Sequence, residues 1–356
     1  MTYKILAINP GSTSTKIALF ENEKEQFRQN IEHSSAELAK FKSIVEQYDF
    51  RKDAVLTFLA KNNVTVSELS AIVARGGNLG ALKGGAYRVN AAMVDTLINR
   101  PTSQHPANMA APIGYEIGKS MSIPVYIYDA ICVDELQDIA RISGMPVIPR
   151  VSYAHTLNMR AVGRKLAAQL GKDYASLNLI IAHLGGGITV SIHHSGRMID
   201  VIPDDEGPFS PQRAGRVPCS SLIDECYSGK YDMDTMRKMQ RGKGGLVAYL
   251  GTNNAIEIQE RITAGDKKAE LVFHAMAYQI AKAIGDLATV VNGKVDGIIL
   301  TGGLAHSKLL TDLVKERVEF IAPFHVSPGE NEMESLALGA LRVLRGEETA
   351  HEYALT

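Results

Sequence analysis

Charge of one sign has almost no excess in this chain: 38 basic against 39 acidic residues leave a formal net charge of −1. That excludes the electrostatic footprint of a nucleic-acid or anionic-membrane binder, so a negatively charged ligand must be caught by a local site. Cysteine is scarce: Cys132, Cys219 and Cys226 form neither a C-x-x-C pair nor a metal-ligand cluster. The sequence therefore predicts thiols in a reducing compartment and no disulfide. Tryptophan is missing and proline is modest. Met1-Thr2-Tyr3-Lys4 passes straight into a strand-like run, with no long apolar segment or small-residue cleavage site, which predicts a cytoplasmic protein without a signal peptide. One stretch, Tyr174 to Gly196, has no Asp, Glu, Lys or Arg. Its glycine run and histidines would be costly in lipid, so it reads as two buried strands around a turn rather than as a membrane span.

What is present fits a soluble α/β protein. With 356 residues, 45% hydrophobic and 22% charged, the chain is long enough for two domains. Strand-like runs at 71–74, 125–128, 179–183, 189–193 and 297–301 alternate with helix-like runs at 52–62, 159–170, 222–227, 267–291, 308–319 and 334–345. The long Ala-rich run from Lys267 is expected in a core.

Three turns carry chemistry. Ile5 to Ile8 runs into Asn9-Pro10-Gly11-Ser12-Thr13-Ser14-Thr15-Lys16 and then Ile17 to Phe20, which predicts a β-hairpin whose amides and hydroxyls face a common anion, with Lys16 adding charge. The Walker spacing is absent, and taken alone an ordinary polar turn explains the hairpin equally well. His183-Leu184-Gly185-Gly186-Gly187-Ile188-Thr189 repeats the design with glycine in place of hydroxyls. It reads as a nest for phosphate or as a tight hairpin using glycine for positive φ. A third turn, Thr301-Gly302-Gly303, closes a buried strand before a helix, an arrangement that suits a nucleotide at a strand's carboxyl end. The similar design of the first two hairpins suggests duplicated halves.

In this order the turns resemble the acetate kinase family, within the superfamily of sugar kinases, actin and heat-shock chaperone ATPases. The resemblance is greatest to the butyrate kinases of that family, through Asn9 to Lys16, Ala182 to Gly187 and Gly329 to Ala337. It spans nearly the whole chain. It implies an α/β fold of two ribonuclease H-like lobes related by duplication, with an active-site cleft between them. The first lobe is expected at 1–150 plus 336–356 and the second at 151–335. It further implies ATP or ADP and Mg²⁺ as cofactors, a short-chain carboxylate as partner, an acyl phosphate as product, and a homodimer or larger homo-oligomer.

The same resemblance distributes the site residues. Asn9, Ser12, Thr13, Ser14 and Lys16 would hold phosphate in the first lobe, and Gly185, Gly186, Gly187, Gly302 and Gly303 in the second. Glu206-Gly207 followed by Arg213-Ala214-Gly215 places Arg213 on the family's catalytic arginine, whose fork could stabilise a transferring phosphoryl group. His183 and His105 correspond to family histidines, and Asp129 and Glu334 to acidic residues that with Asn9 would neighbour Mg²⁺. Ile72 replaces the family's first active-site arginine, for which Arg75 is the expected substitute. Ala74 stands where acetate kinases have a larger valine, which favours a longer acyl chain. In Tyr153 to Asn158 the family pattern is altered, leaving the role of His155 open. A carboxylate nucleophile is already ionised at neutral pH, so catalysis should rest on positioning and charge. An acetate or propionate kinase, a sugar kinase with an Asp general base and a nonenzymatic actin-like switch remain the alternatives.

Overall fold

The computed structural model describes residues 1–354. Its strands are β1 (Lys4–Pro10), β2 (Ser14–Glu21), β3 (Lys24–Glu32), β4 (Ala71–Ala74), β5 (Ala86–Arg88), β6 (Val125–Tyr128), β7 (Leu179–Leu184), β8 (Ile188–His194), β9 (Arg197–Ile202), β10 (Gly297–Gly302), β11 (Phe324–Pro328) and β12 (His351–Glu352). The chain divides into two compact units, one of Met1–Asp134 with Asn331 onward, the other of Glu135–Glu330.

The first unit is built on a seven-stranded sheet in the order β12-β5-β6-β4-β1-β2-β3. β1 and β2 are antiparallel, with Asn9 opposite Lys16, while β4 runs parallel to β1 and β6 parallel to β4. Their apolar residues are almost wholly buried, which is why these short runs read as strands. The helix Glu332–Leu344 returns to pack on β1, β4 and β6. Gly339 permits that approach: a Cβ there would lie 2.4 Å from the Tyr128 ring.

The second unit has a five-stranded sheet, β11-β10-β7-β8-β9. β7, β8 and β9 form an antiparallel meander, and β10 and β11 add in parallel. The series β3-β2-β1-β4-β6 in the first unit has the same order and directions, so the fold is a mixed α/β duplication as the sequence suggested. The helix Lys267–Ala288 buries Phe273, Met276, Ile280, Ile284 and Leu287 at spacings of three and four residues. Each such side chain contributes roughly 1.5–3 kcal/mol when fully buried.

The contact division falls after Asp134 and after Glu330, where the sequence draws 150 and 335. Leu136 and Ala140 belong to the second unit's core, beside Leu166, Leu179 and Ile299. At the other end, the returning helix begins at Glu332 rather than Glu334, with Asn331 in the left-handed region ahead of it.

Candidate active site

The first hairpin forms as expected. Gly11 N–H donates to Ser14 O at 2.8 Å, closing the turn between β1 and β2, and Ser12 and Thr13 are exposed at its tip. Beneath it lies Arg51, a fully buried side chain on the helix Tyr48–Lys61. Its Nη1 donates to Ser14 O at 2.9 Å and Thr15 Oγ1 at 3.0 Å, and its Nη2 donates to Ser12 O at 3.4 Å and Gln47 Oε1 at 2.9 Å. Nε donates to the same Gln47 oxygen at 3.1 Å. Arg51 sits in a charged run, Arg51-Lys52-Asp53, that reads as solvated helix surface, and sequence reasoning missed it.

Beside the hairpin, one carboxylate gathers three residues. Glu332 accepts from Asn9 Nδ2 at 2.7 Å and from Arg75 Nη1, and lies 3.6 Å from Lys16 Nζ. Glu334, the residue expected here, is exposed and lies two positions further along the helix. Residues two apart on a helix point about 200° apart, so only one of the two glutamates can face Asn9. Arg75 follows β4 directly, and its N–H donates to Ile8 O at 2.9 Å. Gly76 then packs on Ala130, where a Cβ would meet the Ala130 Cβ at 2.4 Å. Ile72, by contrast, is fully buried against Gly114, and Ala74 is also buried in the core.

Asp129 follows β6 in a left-handed conformation, φ 41°. It is buried, and its Oδ1 accepts from Gly85 N–H at 2.8 Å. A non-glycine residue in this region stores strain that the surrounding contacts must hold. His105 caps the short helix Pro106–Met109, its Nδ1 accepting from Ala107 N–H at 3.1 Å. The ring proton is thereby placed on Nε2. Desolvation, then the charges of Arg75 and Arg51, holds the surface residue His105 below the ordinary histidine range, so the neutral ring is favoured at pH 7.

In the second unit, β7 and β8 meet at Gly185 to Gly187, with Gly185 N–H donating to Gly187 O at 3.1 Å. None of the three has positive φ, so the tight-turn explanation fails. Their smallness serves close approach instead. A Cβ on Gly185 would lie 3.1 Å from His183 Nε2, and one on Gly187 would lie 3.0 Å from Arg213 Nε. The glycine turn therefore brings together His183 and Arg213, residues thirty positions apart in sequence.

Each is held from behind. Asn158 donates its amide to the carbonyls of Gly329 and Glu330 at 3.2 and 2.9 Å, which turns its Oδ1 toward His183 Nδ1 at 3.0 Å. His183 thus carries a proton on Nδ1, while its buried Nε2 has no hydrogen-bond partner and lies 3.5 Å from Glu330 Oε1. His155 stacks on the same ring, centroids 3.8 Å apart and planes 7° from parallel, and its Nδ1 lies 3.1 Å from Thr189 Oγ1. The buried Asp204 is 2.8 Å from Arg213 Nε, in a geometry too bent for a hydrogen bond, and 2.6 Å from Arg241 Nη2. Gly302, φ 88°, pairs with Gly329 and would press a Cβ to 2.5 Å from Leu184 O, which joins the third turn to the second. Gly303 faces open space.

This architecture is the fold of solved acetate and propionate kinases. Porphyromonas gingivalis acetate kinase superposes with a TM-score of 0.78 at 18% identity, covering 96% of this chain and 100% of that one. Entamoeba histolytica acetate kinase gives 0.75 at 16%, over 94% and 98%. A propionate kinase from Francisella tularensis gives 0.71 at 17%, over 95% and 98%. A family model described as the Acetokinase family matches residues 150–337, more than half of the chain. The chain belongs to that family.

Proposed function

We propose that this protein is a short-chain carboxylate kinase that exchanges a phosphoryl group between ATP and a carboxylate, with butyrate or a branched analogue as the preferred acid. The observation that carries the reading is the second glycine turn, where His183 Nε2 and the Arg213 guanidinium stand over backbone stripped of side chains. An anionic group in flight needs such donors, and a carboxylate acceptor needs no general base. In the forward direction a carboxylate oxygen forms a bond to the γ-phosphorus as the bond to the bridging oxygen breaks, and ADP leaves with the electron pair. No proton has to move.

The residues divide the work. Ser12, Thr13, Ser14 and Lys16 grip phosphate oxygens in the first unit, and Gly185 to Gly187 with Gly302 and Gly303 hold nucleotide phosphates in the second. Arg213 stabilises the charge spread over the transferring group. His183 donates its Nδ1 proton in a hydrogen bond to Asn158 Oδ1, so Nε2 can donate to a phosphoryl oxygen only when the ring carries a second proton. His105 donates as a neutral imidazole, and Arg75 orients the carboxylate. Asn9, Glu332 and Asp129 offer only hard oxygen donors, a set suited to Mg²⁺ held partly through water. That ion, when bound, neutralises phosphate charge.

Preference for butyrate rests on the resemblance of the three motifs to butyrate kinases. Hydroxylamine trapping with ATP, Mg²⁺ and a panel of acids tests both levels. Butyryl or isobutyryl hydroxamate is expected to form fastest. Acetate outrunning butyrate would overturn the chain-length preference, and no acyl phosphate from any acid would overturn the kinase reading.

A further inference from the structure

Arg51 is the largest fully buried side chain of the protein, and it is a cation. All five of its N–H bonds reach neutral acceptors: Ser12 O, Ser14 O, Thr15 Oγ1 and the Gln47 amide oxygen, which takes two. Among the described residues no carboxylate pairs with it. Charges this deep in a protein are ordinarily paired, because desolvation without a counter-ion is costly. We propose that the missing counter-ion is the ligand, and that Arg51 is the fixed positive charge behind the phosphate gripped by the first hairpin.

The local geometry supports this in three ways. First, the guanidinium lies directly under the turn, whose other side is exposed at Ser12 and Thr13. A single layer of backbone separates the charge from an anion on the hairpin. Second, in a trans peptide the C=O and N–H point in opposite directions. Drawing Ser12 O inward turns the Thr13 N–H outward, so the same contacts that satisfy Arg51 aim a donor at the ligand. Third, its field extends beyond its own contacts. Desolvation first, and then the Arg51 charge, holds His33 below the ordinary histidine range, and His105 is lowered by desolvation, then Arg75, then Arg51. His33 Nε2 lies 2.8 Å from Thr15 Oγ1, the hydroxyl that receives Arg51. The network behind the hairpin is therefore neutral except for one charge. Arg51 is a positioning residue: it touches the hairpin and not the substrate.

The proposal rests on the reading of the hairpin as a phosphate grip. Its test uses the full chain with Arg51→Met, which keeps bulk and removes charge, and Arg51→Lys, which keeps charge and loses the five-donor fork. Calorimetric titration would compare ATP and inorganic phosphate with adenosine. The Met variant is expected to weaken ATP and phosphate on the order of 10- to 100-fold, as the loss of one poorly screened charge would, and adenosine by less than about twofold. The Lys variant should recover most of that loss. Unchanged phosphate affinity in the Met variant, or equal weakening of adenosine and phosphate, would overturn the proposal, as would a Lys variant as impaired as Met. If the Met variant does not fold, the Lys variant decides: a wild-type ratio of phosphate to adenosine affinity supports the charge role, and a collapsed ratio refutes it. Wild-type protein that bound phosphate with this Arg51 dependence yet formed no acyl phosphate would refute the kinase reading and uphold this one.

Discussion

A methyl group at position 185 asks which atom of His183 meets the substrate. The Gly185 backbone lies outside the left-handed region, so alanine fits its conformation, and the new Cβ would stand 3.1 Å from His183 Nε2. The stability terms nearly cancel. Alanine in place of glycine lowers unfolded-chain entropy and adds about 0.4–1 kcal/mol, and relieving a contact a few tenths of an ångström too tight removes a similar amount. A melting temperature within about 3 °C of wild type is expected. Activity should behave otherwise, because the methyl takes the space through which a phosphoryl oxygen approaches Nε2. Loss of one donor to developing charge lowers turnover by about 100-fold or more, near 2.7 kcal/mol. Gly186→Ala is the companion variant: its Cβ meets only Gln212 Oε1, at 3.5 Å, an ordinary contact. Its loss should stay below about tenfold, because this methyl leaves the approach to His183 Nε2 open. Initial rates of hydroxamate formation, with ADP titration as the binding control, separate the two. Turnover by Gly185→Ala within about threefold of wild type, or equal losses in the two variants, would refute the claim that Nε2 is the presented atom.

Two further expectations follow from buried and clustered charge. His193 is fully buried against Tyr174 and Ser191, and burial, followed by the charges of Arg160 and Arg164, pushes it down to about 3. The unfolded chain takes up that proton near pH 6.5, so the associated stability is present above 6.5 and is lost as pH falls toward 3. The loss is at most about 1.4 kcal/mol per pH unit, or about 2 kcal/mol at pH 5. Denaturant titrations at pH 7 and 5 should show this decline shrink in His193→Gln, and an unchanged decline would refute it. Glu332→Gln should raise the Mg²⁺ concentration needed for half-maximal rate by about tenfold, while Glu334→Gln stays near wild type. The reverse ranking would restore Glu334 to the site.

Much of the fold was legible because buried strands are written as apolar runs. Ala71–Ala74 and Val125–Tyr128 have the bounds their sequence predicts, and both hairpins form. β3 was not legible: Lys24–Glu32 is mostly exposed and polar, a sheet edge whose charges protect it from further pairing. Of the candidate site, the glycine turns and Arg213 stand out from motif order. Two features could not. Glu332 and Glu334 differ only in helical phase, which depends on where Asn331 starts the turn. Arg51 sits in a charged run and is buried only because hairpin carbonyls fold over it. His155 was undecidable from an altered motif, and the ring stack on His183 is visible only in three dimensions.

The carboxylate of Glu332 has a consequence for synthesis on the ribosome. Asn9, Lys16, Arg51 and Arg75 emerge early, and the hairpin with its buried cation can be assembled from contacts close in sequence. The acidic partner shared by Asn9, Lys16 and Arg75 lies 323 residues beyond Asn9 and 257 beyond Arg75. Until the last helix is made, the nascent first unit holds Lys16 and Arg75 without it, beside a sheet lacking the helix that covers β1, β4 and β6. A chain cut short ahead of Glu332 would therefore expose a basic, partly uncovered sheet, a state open to polyanions and to proteolysis that the finished chain closes with its own C-terminal segment.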